Sequence, residues 1–525
     1  MAQEPAVTGH AADAHAAPAP QSHFFINEYR VEGNTVLPRI AVEKAVYPYL
    51  GENRTIDDVE KARKNLEQTY HDAGYPTVFV DIPEQDVVGG AVRLHVSEGR
   101  IGRVRVVGSG YYSLGRIREK IPALAQGTVP SLPQMQQQLG AINRVSTDLQ
   151  VVPMFHAGAT PGKVDVDLRV KDELPLHASL ELNNRYSANT SHLRAVGMAR
   201  YDNLWQREHS LSLQYQTSPR NTSDVSVYSG TYVFRSEDAS AATALYAVHS
   251  NTNVAAVGDL SVIGKGDIYG LRQIYPLPAA SGYSHSLTLG VDYKSFRETI
   301  SLQGTEQDNT PIRYLPFTTQ YSGNVDDARG HTQFDVGLNF SIRALSERTI
   351  DCFGQQVSQF ECKRYNARAD YVYLKADVQR TQNLPLDSTA FLRLSVQYAD
   401  QPLIDNEQLA AGGADTVRGY LEAESLGDDG VIGSIELRHP WDWLARIARL
   451  DQFSVHFFVD DAQLSIRDPL PGQASHSDLL STGLGMHFSA RRNLTGDLDW
   501  AWPLKDGPTT QAHDSRGLFS LRYGF

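Results

Sequence analysis

No stretch of the chain approaches the ~18–20 consecutive apolar residues that a membrane-crossing helix requires, so no helical span is expected. That absence leaves a transmembrane β-barrel open, because barrel strands alternate apolar and polar residues and average out as hydrophilic. Positive charge is scarce as well: 48 Lys+Arg stand against 61 Asp+Glu, a formal net of −13. A nucleic-acid partner needs a basic footprint, and none is expected here. Cysteine is reduced to Cys352 and Cys362, ten positions apart, with no Cys or His neighbour at metal-ligand spacing. They are expected to close a small disulfide loop, as an oxidising compartment allows, in preference to staying as two free thiols. The opening Met1-Ala2-Gln3-Glu4-Pro5 lacks the basic and apolar regions of a secretory signal and reads as a processed chain with an added Met. Enzyme signatures are missing too: no Gly-x-Ser-x-Gly, no Walker loop, no His-Glu-x-x-His. Asp460-Asp461 is no carboxylate pair, since adjacent strand residues point to opposite faces. No catalytic residue, metal site or cofactor is expected.

What is present falls into three stretches. Residues 1–22 are rich in Ala, His and Pro and read as a flexible leader or a plug segment. Residues 23–98 run β-α-α-β-β: a strand over Phe24–Val31, helices over Arg39–Leu50 and from Thr55 through Tyr70, and strands over Thr77–Ile82 and Ala91–Val96. Pro38 precedes the first helix, and Thr55 with Asp58 has capping-box spacing before the second. Residues 99–175 repeat the order, with Arg103–Val107, helices near Ser113–Ala125 and Leu132–Val145, then Gln150–Phe155 and Lys163–Val170. Gly33 and Gly108 lie 75 residues apart, and Leu94-His95-Val96 and Leu168-Arg169-Val170 lie 74 apart, which is a repeat signal.

From about residue 176 to 525 the helical period vanishes. Phe334, Val336, Leu338, Phe340 and Ile342 alternate with polar residues, as do Leu392, Leu394, Val396 and Tyr398. About sixteen such segments fit, roughly 22 residues each with their connections, and an even count suits a bacterial barrel. The last segment ends the chain on Phe519, Leu521, Tyr523 and Phe525. Trp441, Trp443, Trp500 and Trp502 sit where an interfacial belt would. The expected class is a mainly β membrane protein: a roughly 16-stranded antiparallel transmembrane barrel behind two small α+β domains.

One connection breaks the rhythm. Residues 401–429 are rich in Gly and Ala and carry Val417-Arg418-Gly419-Tyr420 near the middle. Connections this long are functional or disordered. If Arg418 is enclosed it needs acidic partners, and Asp460 and Glu436 fall on the lumen-facing alternation of their strands. Composition alone equally admits an exposed Arg418 that pairs with nothing.

The order of these motifs resembles the two-partner secretion transporters, the TpsB family, over essentially the whole chain after residue 22. The two β-α-α-β-β units look like POTRA domains, and Val96–Gly102 resembles the junction between them. Val417-Arg418-Gly419-Tyr420 matches the superfamily's loop motif. Phe458-Val459-Asp460-Asp461-Ala462 resembles its Phe-x-Asp-x-Gly strand motif, with Ala462 in the Gly position, and Glu436–Pro440 resembles the acidic strand beside it. The resemblance implies that the loop folds into the pore and that Arg418 docks on Asp460 and Glu436. It implies an outer-membrane protein with periplasmic POTRA domains that exports a secreted partner exoprotein, a large β-helical haemolysin- or adhesin-like client. Outer-membrane lipid and the barrel-assembly machinery, acting through the C-terminal strand, would be its other partners. A barrel-assembly insertase would use the same motifs, and a passive porin would lack the periplasmic repeats.

Overall fold

The computed structural model describes residues 23–525 apart from 237–239, 253, 258–259, 298, 303–304, 309–310 and 353; the expected leader or plug, 1–22, lies outside the described residues. The chain divides into two units, one ending at Leu174 and the other starting at Pro175.

The first unit holds two three-stranded sheets, each covered by two helices. In the first, Ala91–Glu98 lies between Glu28–Glu32, to which it is parallel, and Val78–Asp81, to which it is antiparallel. Helices Arg39–Val46 and Ile56–Asp72 cover one face, burying Val59, Leu66 and Tyr70 against Val80, Leu94 and Val96. The Asp58 carboxylate accepts the Thr55 amide at 3.0 Å and so caps the longer helix. Two expected elements are broken. The strand read over Phe24–Val31 splits at Asn27, where the amides of Asn27 and Glu28 both donate to the Gly90 carbonyl; Phe24–Ile26 swings away to pair with Gly51–Arg54. The helix read through Leu50 stops at Val46, because Pro48 has no amide to continue it. In the second repeat, Lys163–Asp172 is central between Arg100–Val107 and Leu149–Ala157, with helices Leu114–Glu119 and Leu132–Val145. The helix read over Ser113–Ala125 is likewise cut short, ending at Glu119 ahead of Pro122, which opens a separate 3-10 turn over Pro122–Leu124.

The repeats share a device that spacing only hints at. Gly33 and Gly108, both at positive φ near 94°, end the first strand of each, and a Cβ on either would meet a carbonyl oxygen of the central strand at 2.2 or 2.5 Å. A carboxylate at the end of the central strand then clasps the turn that follows. Glu98 accepts the amides of Thr35 and Val36 at 2.6 and 3.1 Å. Asp172 accepts the amides of Gly110, Tyr111 and Tyr112 and the Ser109 hydroxyl, all within 3.1 Å. Burial alone would raise the Asp172 carboxyl, but these donors outweigh it and hold it below its ordinary value.

The second unit is a closed antiparallel barrel, from Leu176–Asn183 to Arg516–Gly524, the two strands that meet at the seam. Ile312–Tyr314 and Pro316–Asp327 both pair with Tyr283–Phe296 and form one strand interrupted at Leu315, which gives sixteen. Strands around the circumference turn apolar side chains outward: Leu213, Leu245, Leu338, Leu394, Leu437 and Leu484, on six different strands, are exposed. An exposed apolar band on a closed sheet is what hydrocarbon stabilises, since closure leaves no unpaired backbone edge. The even strand count puts the first strand's start and the last strand's end at one end of the barrel. Turns at that end are short, such as 328–329 and 491–493, and connections at the far end are long, 342–371 and 400–428 above all. Cys352 and Cys362 are disulfide-bonded in the former.

Asp172→Asn should destabilise the second repeat by about 1–2 kcal/mol, the modest end for lost charge-assisted bonds at a partly exposed site. The folded carboxyl titrates below its unfolded value. The wild-type advantage is therefore present above about pH 4, the ordinary range, and fades as pH falls through the lowered folded value. Thermal unfolding of both proteins across pH 3–7 checks this; an advantage that grows as pH falls would contradict it.

Candidate functional site

The connection between strands Thr389–Ala399 and Asp429–Pro440 is the most enclosed irregular segment of the barrel unit. It is not structureless: Leu409–Ala411 pairs with Ser425–Gly427 in a small hairpin. The weak strand signal there reflects its brevity, three residues a side. Gly412, Gly413 and Gly419 adopt positive φ and let the chain turn back on itself where a Cβ would be strained.

At the tip, Arg418 is 5% exposed. Its backbone amide and Nε both donate to Asp460 Oδ2, at 3.1 and 2.8 Å, and Nη2 donates to Oδ1 at 2.8 Å. Nη1 lies 2.8 Å from Glu436 Oε1. The guanidinium also stacks 3.5 Å above the Phe458 ring. Strand register explains the cluster. Ser434 faces Asp460 and Glu436 faces Phe458 across the pair Asp429–Pro440 and Gln452–Ser465, so alternation aims all four inward. Ser434 Oγ completes the shell by donating to Asp460 Oδ1 at 2.6 Å. Gly483 on the next strand makes room, since a Cβ there would sit 2.2 Å from the Phe458 ring. Ala462 is buried and the strand runs on through it in unbroken register to Ser465. A bidentate guanidinium–carboxylate pair with its backbone amide enlisted is rigid, and two acids offset the cost of enclosing one cation.

The other motif residues fix the loop's flanks. Val417 is buried among Leu409, Ile432 and Leu464. The Tyr420 hydroxyl donates to the carbonyls of Leu480 and Lys505 at 3.1 and 2.7 Å. Beneath the tip lies a polar cavity of about 290 Å³, lined by Arg185, Arg418, Glu436, Arg438, His456 and Asp499 among others. Of the C-terminal residues, Leu521, Tyr523 and Phe525 are exposed outward, and Phe525 exchanges both backbone bonds with Ala178 at 2.9 Å across the seam. Phe519 lines the cavity edge.

Sequence reasoning missed the loop's base. Asp428 is fully enclosed and takes a bidentate pair from Arg364, at 2.8 and 2.6 Å, plus the amides of Leu403 and Arg467 and the Gln408 side chain. Glu407 receives Lys294 and the hydroxyls of Tyr314 and Tyr373, at 2.5, 2.6 and 2.9 Å. Beside these ions an apolar core gathers at this end of the barrel. Phe360 and Tyr371 from the disulfide-bearing connection and Leu403 and Ile404 from the loop pack on Phe296, Ile312 and Tyr314 of the strands. No local pattern pairs residues 64 positions apart; Arg364 and Asp428 meet only because the barrel curves.

Comparison with known proteins follows the same lines. A family model for the ShlB-type POTRA domain matches residues 24–99, and one for haemolysin secretion/activation proteins ShlB/FhaC/HecB matches residues 162–488. The outer membrane transporter CdiB of Dickeya dadantii is 22% identical over 436 residues, 79% of this chain and 72% of that protein. The heme/hemopexin transporter protein HuxB of Haemophilus influenzae is 19% identical over 418 residues, 74% of this chain and 67% of its own length. Among solved structures, CdiB from Escherichia coli aligns with TM-score 0.65 at 16% identity, covering 99% of this chain and 93% of that one. BamA from Haemophilus ducreyi lacking POTRA domains 1–3 aligns with TM-score 0.57 at 13% identity, covering 96% and 100%. At these identities the two structures establish the fold.

Arg418→Ala should leave the barrel inserted and heat-modifiable but release the loop, a local loss of about 3–5 kcal/mol for stranding a buried carboxylate pair. Asp460→Ala should behave alike, and the double variant should be little worse than either. Lys at 418 should restore only part, lacking the fork. Limited proteolysis within 405–425 reads the release; additive effects in the double variant would show that the two residues act separately.

Proposed function

The chain belongs to the haemolysin secretion/activation family of TpsB-type two-partner secretion transporters, outer-membrane proteins with periplasmic POTRA domains, and on that premise we propose that it exports an unfolded partner exoprotein through its own barrel. The observation that carries the reading is the loop 400–428, held at its tip by Arg418 and at its base by Asp428, next to a cluster of packed aromatics. A passive porin has no use for a loop pinned at both ends to its inner wall. A conduit that opens only for its client does.

The periplasmic repeats would receive that client. Val78–Asp81 and Leu149–Ala157 pair on one side only among the described residues, and Phe79 on the first and Val152, Met154 and Phe155 on the second are exposed. An extended client adding a strand to such an edge would gain main-chain bonds and apolar contacts together. Domain limits at 23–98 and 99–175 suit this division of labour. With no nucleotide motif in the chain, folding of a large β-helical client at the cell surface would drive passage. The exposed C-terminal residues Leu521, Tyr523 and Phe525 would engage the barrel-assembly machinery before closure. An insertase remains the second reading, supported by the BamA-like fold alone.

Deleting residues 24–98 should leave the barrel in the outer membrane and strand the partner in the periplasm. Undiminished secretion by the deletion variant would refute client capture by that repeat. Arg364→Ala should raise the ion conductance of the reconstituted protein several-fold by unlatching the mouth; unchanged conductance in planar bilayers would show that the latch does not gate the exit.

A further inference from the structure

The periplasmic end of the barrel is bordered by short turns with one elaborate exception. Between Pro440 and Gln452 the chain forms the helix Asp442–Ala448, ended by Arg449 in a left-handed conformation. Only Ala445 of this helix is buried; Trp443 is 60% and Ile447 71% exposed. The Trp441 ring stacks at 6.4 Å on Phe453, which shares the outward, lipid-facing side of its strand with Phe457 and Val459. The helix therefore continues the apolar band of the barrel down to the level of the headgroups. A short amphipathic helix with Trp and Ile exposed at that depth lies in the membrane interface.

The same place gathers cations. Arg446 and Arg449 project from the helix, and Arg491 and Arg492 form the adjacent turn. Two bonds join the turns: the Asp451 amide donates to the Ser489 carbonyl at 2.8 Å, and the Arg492 amide donates to Asp451 Oδ2 at 2.6 Å. All four arginines are exposed, and among the described residues their guanidinium groups form no ion pair. Within these two connections the acids are Asp442 at the helix start and Asp451, already engaged by the Arg492 amide, so four arginines stand against two carboxylates in a chain of net charge −13.

We propose that Trp441–Asp451 and Arg491–Arg492 form a docking surface for anionic phospholipid headgroups of the periplasmic leaflet. Trp443 and Ile447 would enter the acyl boundary while the four guanidinium groups bind lipid phosphates. Guanidinium suits this task because its planar fork bonds a phosphate through two oxygens. Continuity with the lipid-facing band supplies the location, and charge complementarity selects the headgroup. The site would anchor one sector of the barrel, the strands that carry Glu436 and Asp460, at a fixed depth.

The test uses the full-length protein in detergent, with phosphatidylglycerol or phosphatidylcholine added and bound lipid counted by native mass spectrometry. The wild type should retain phosphatidylglycerol over phosphatidylcholine by about tenfold, given that each basic residue near a membrane surface adds measurably to anionic-lipid attraction. The variant R446Q/R449Q/R491Q/R492Q should lose that preference, while Arg207→Gln with Arg329→Gln, in other turns of the same end, should keep it. Excess inorganic phosphate should not displace the lipid; displacement would mean a bare phosphate site rather than a lipid one and would overturn the proposal. Equal retention by the wild type and the quadruple variant would also overturn it. Should the quadruple variant fail to fold, a salt titration of the wild type decides, since the preference must collapse at high ionic strength if it is electrostatic.

Discussion

A charged group enclosed by a barrel is tolerable only if its surroundings are built for it, and Arg418 sets that requirement for much of this molecule. Two carboxylates on adjacent strands must face inward on a diagonal, Asp460 opposite Ser434 and Glu436 opposite Phe458, which fixes the register of Asp429–Pro440 against Gln452–Ser465. A glycine must stand beside the aromatic ring under the guanidinium, and another must follow the arginine so that the backbone can turn away. The loop's apolar flank is then pressed against the wall, where Val417 and Leu409 become core residues. Remove the cation and each of these features loses its reason.

The loop's base obeys the same logic with the signs reversed. There the enclosed charges are anions, Asp428 and Glu407, and the walls and the neighbouring connection supply Arg364, Lys294 and two tyrosine hydroxyls. Ions inside a hydrophobic mouth cost less when every lone pair is met, and Asp428 shows this most fully. The periplasmic repeats use carboxylates in a third way, as clasps on turns, where Glu98 and Asp172 do at two sites what one short side chain could not do alone.

Much of the barrel was legible because period-two alternation is a local signal, written afresh in each strand. Inward-facing Asp460 and Glu436 followed from the same alternation, and Arg418 from a motif whose neighbours are close in sequence. The repeats were legible from spacing, although the split at Asn27 was not, since it depends on the Gly90 carbonyl more than sixty residues away. The mouth was illegible for a similar reason. Phe360, Tyr371 and Arg364 sit in a stretch with no strand or helix period, and their partners lie on strands that precede it and on the loop 400–428 that follows it, at unrelated distances.

One further bond pattern bears on mechanics. The loop touches both banks of the barrel's seam: the Glu422 amide donates to the Tyr186 carbonyl just past the first strand, and Glu424 accepts the amides of Thr509 and Thr510 just before the last. The seam itself is short, its ladder running from Asn183 with Ser520 to Ser179 with Gly524 and closed off by the paired bonds of Ala178 and Phe525. Hoop tension in the wall therefore has two load paths at this point, the backbone ladder and the loop that bridges it. A body forced up the lumen that dislodged the loop would cut one path while stretching the other, so the wall would be weakest at the moment its bore was widest.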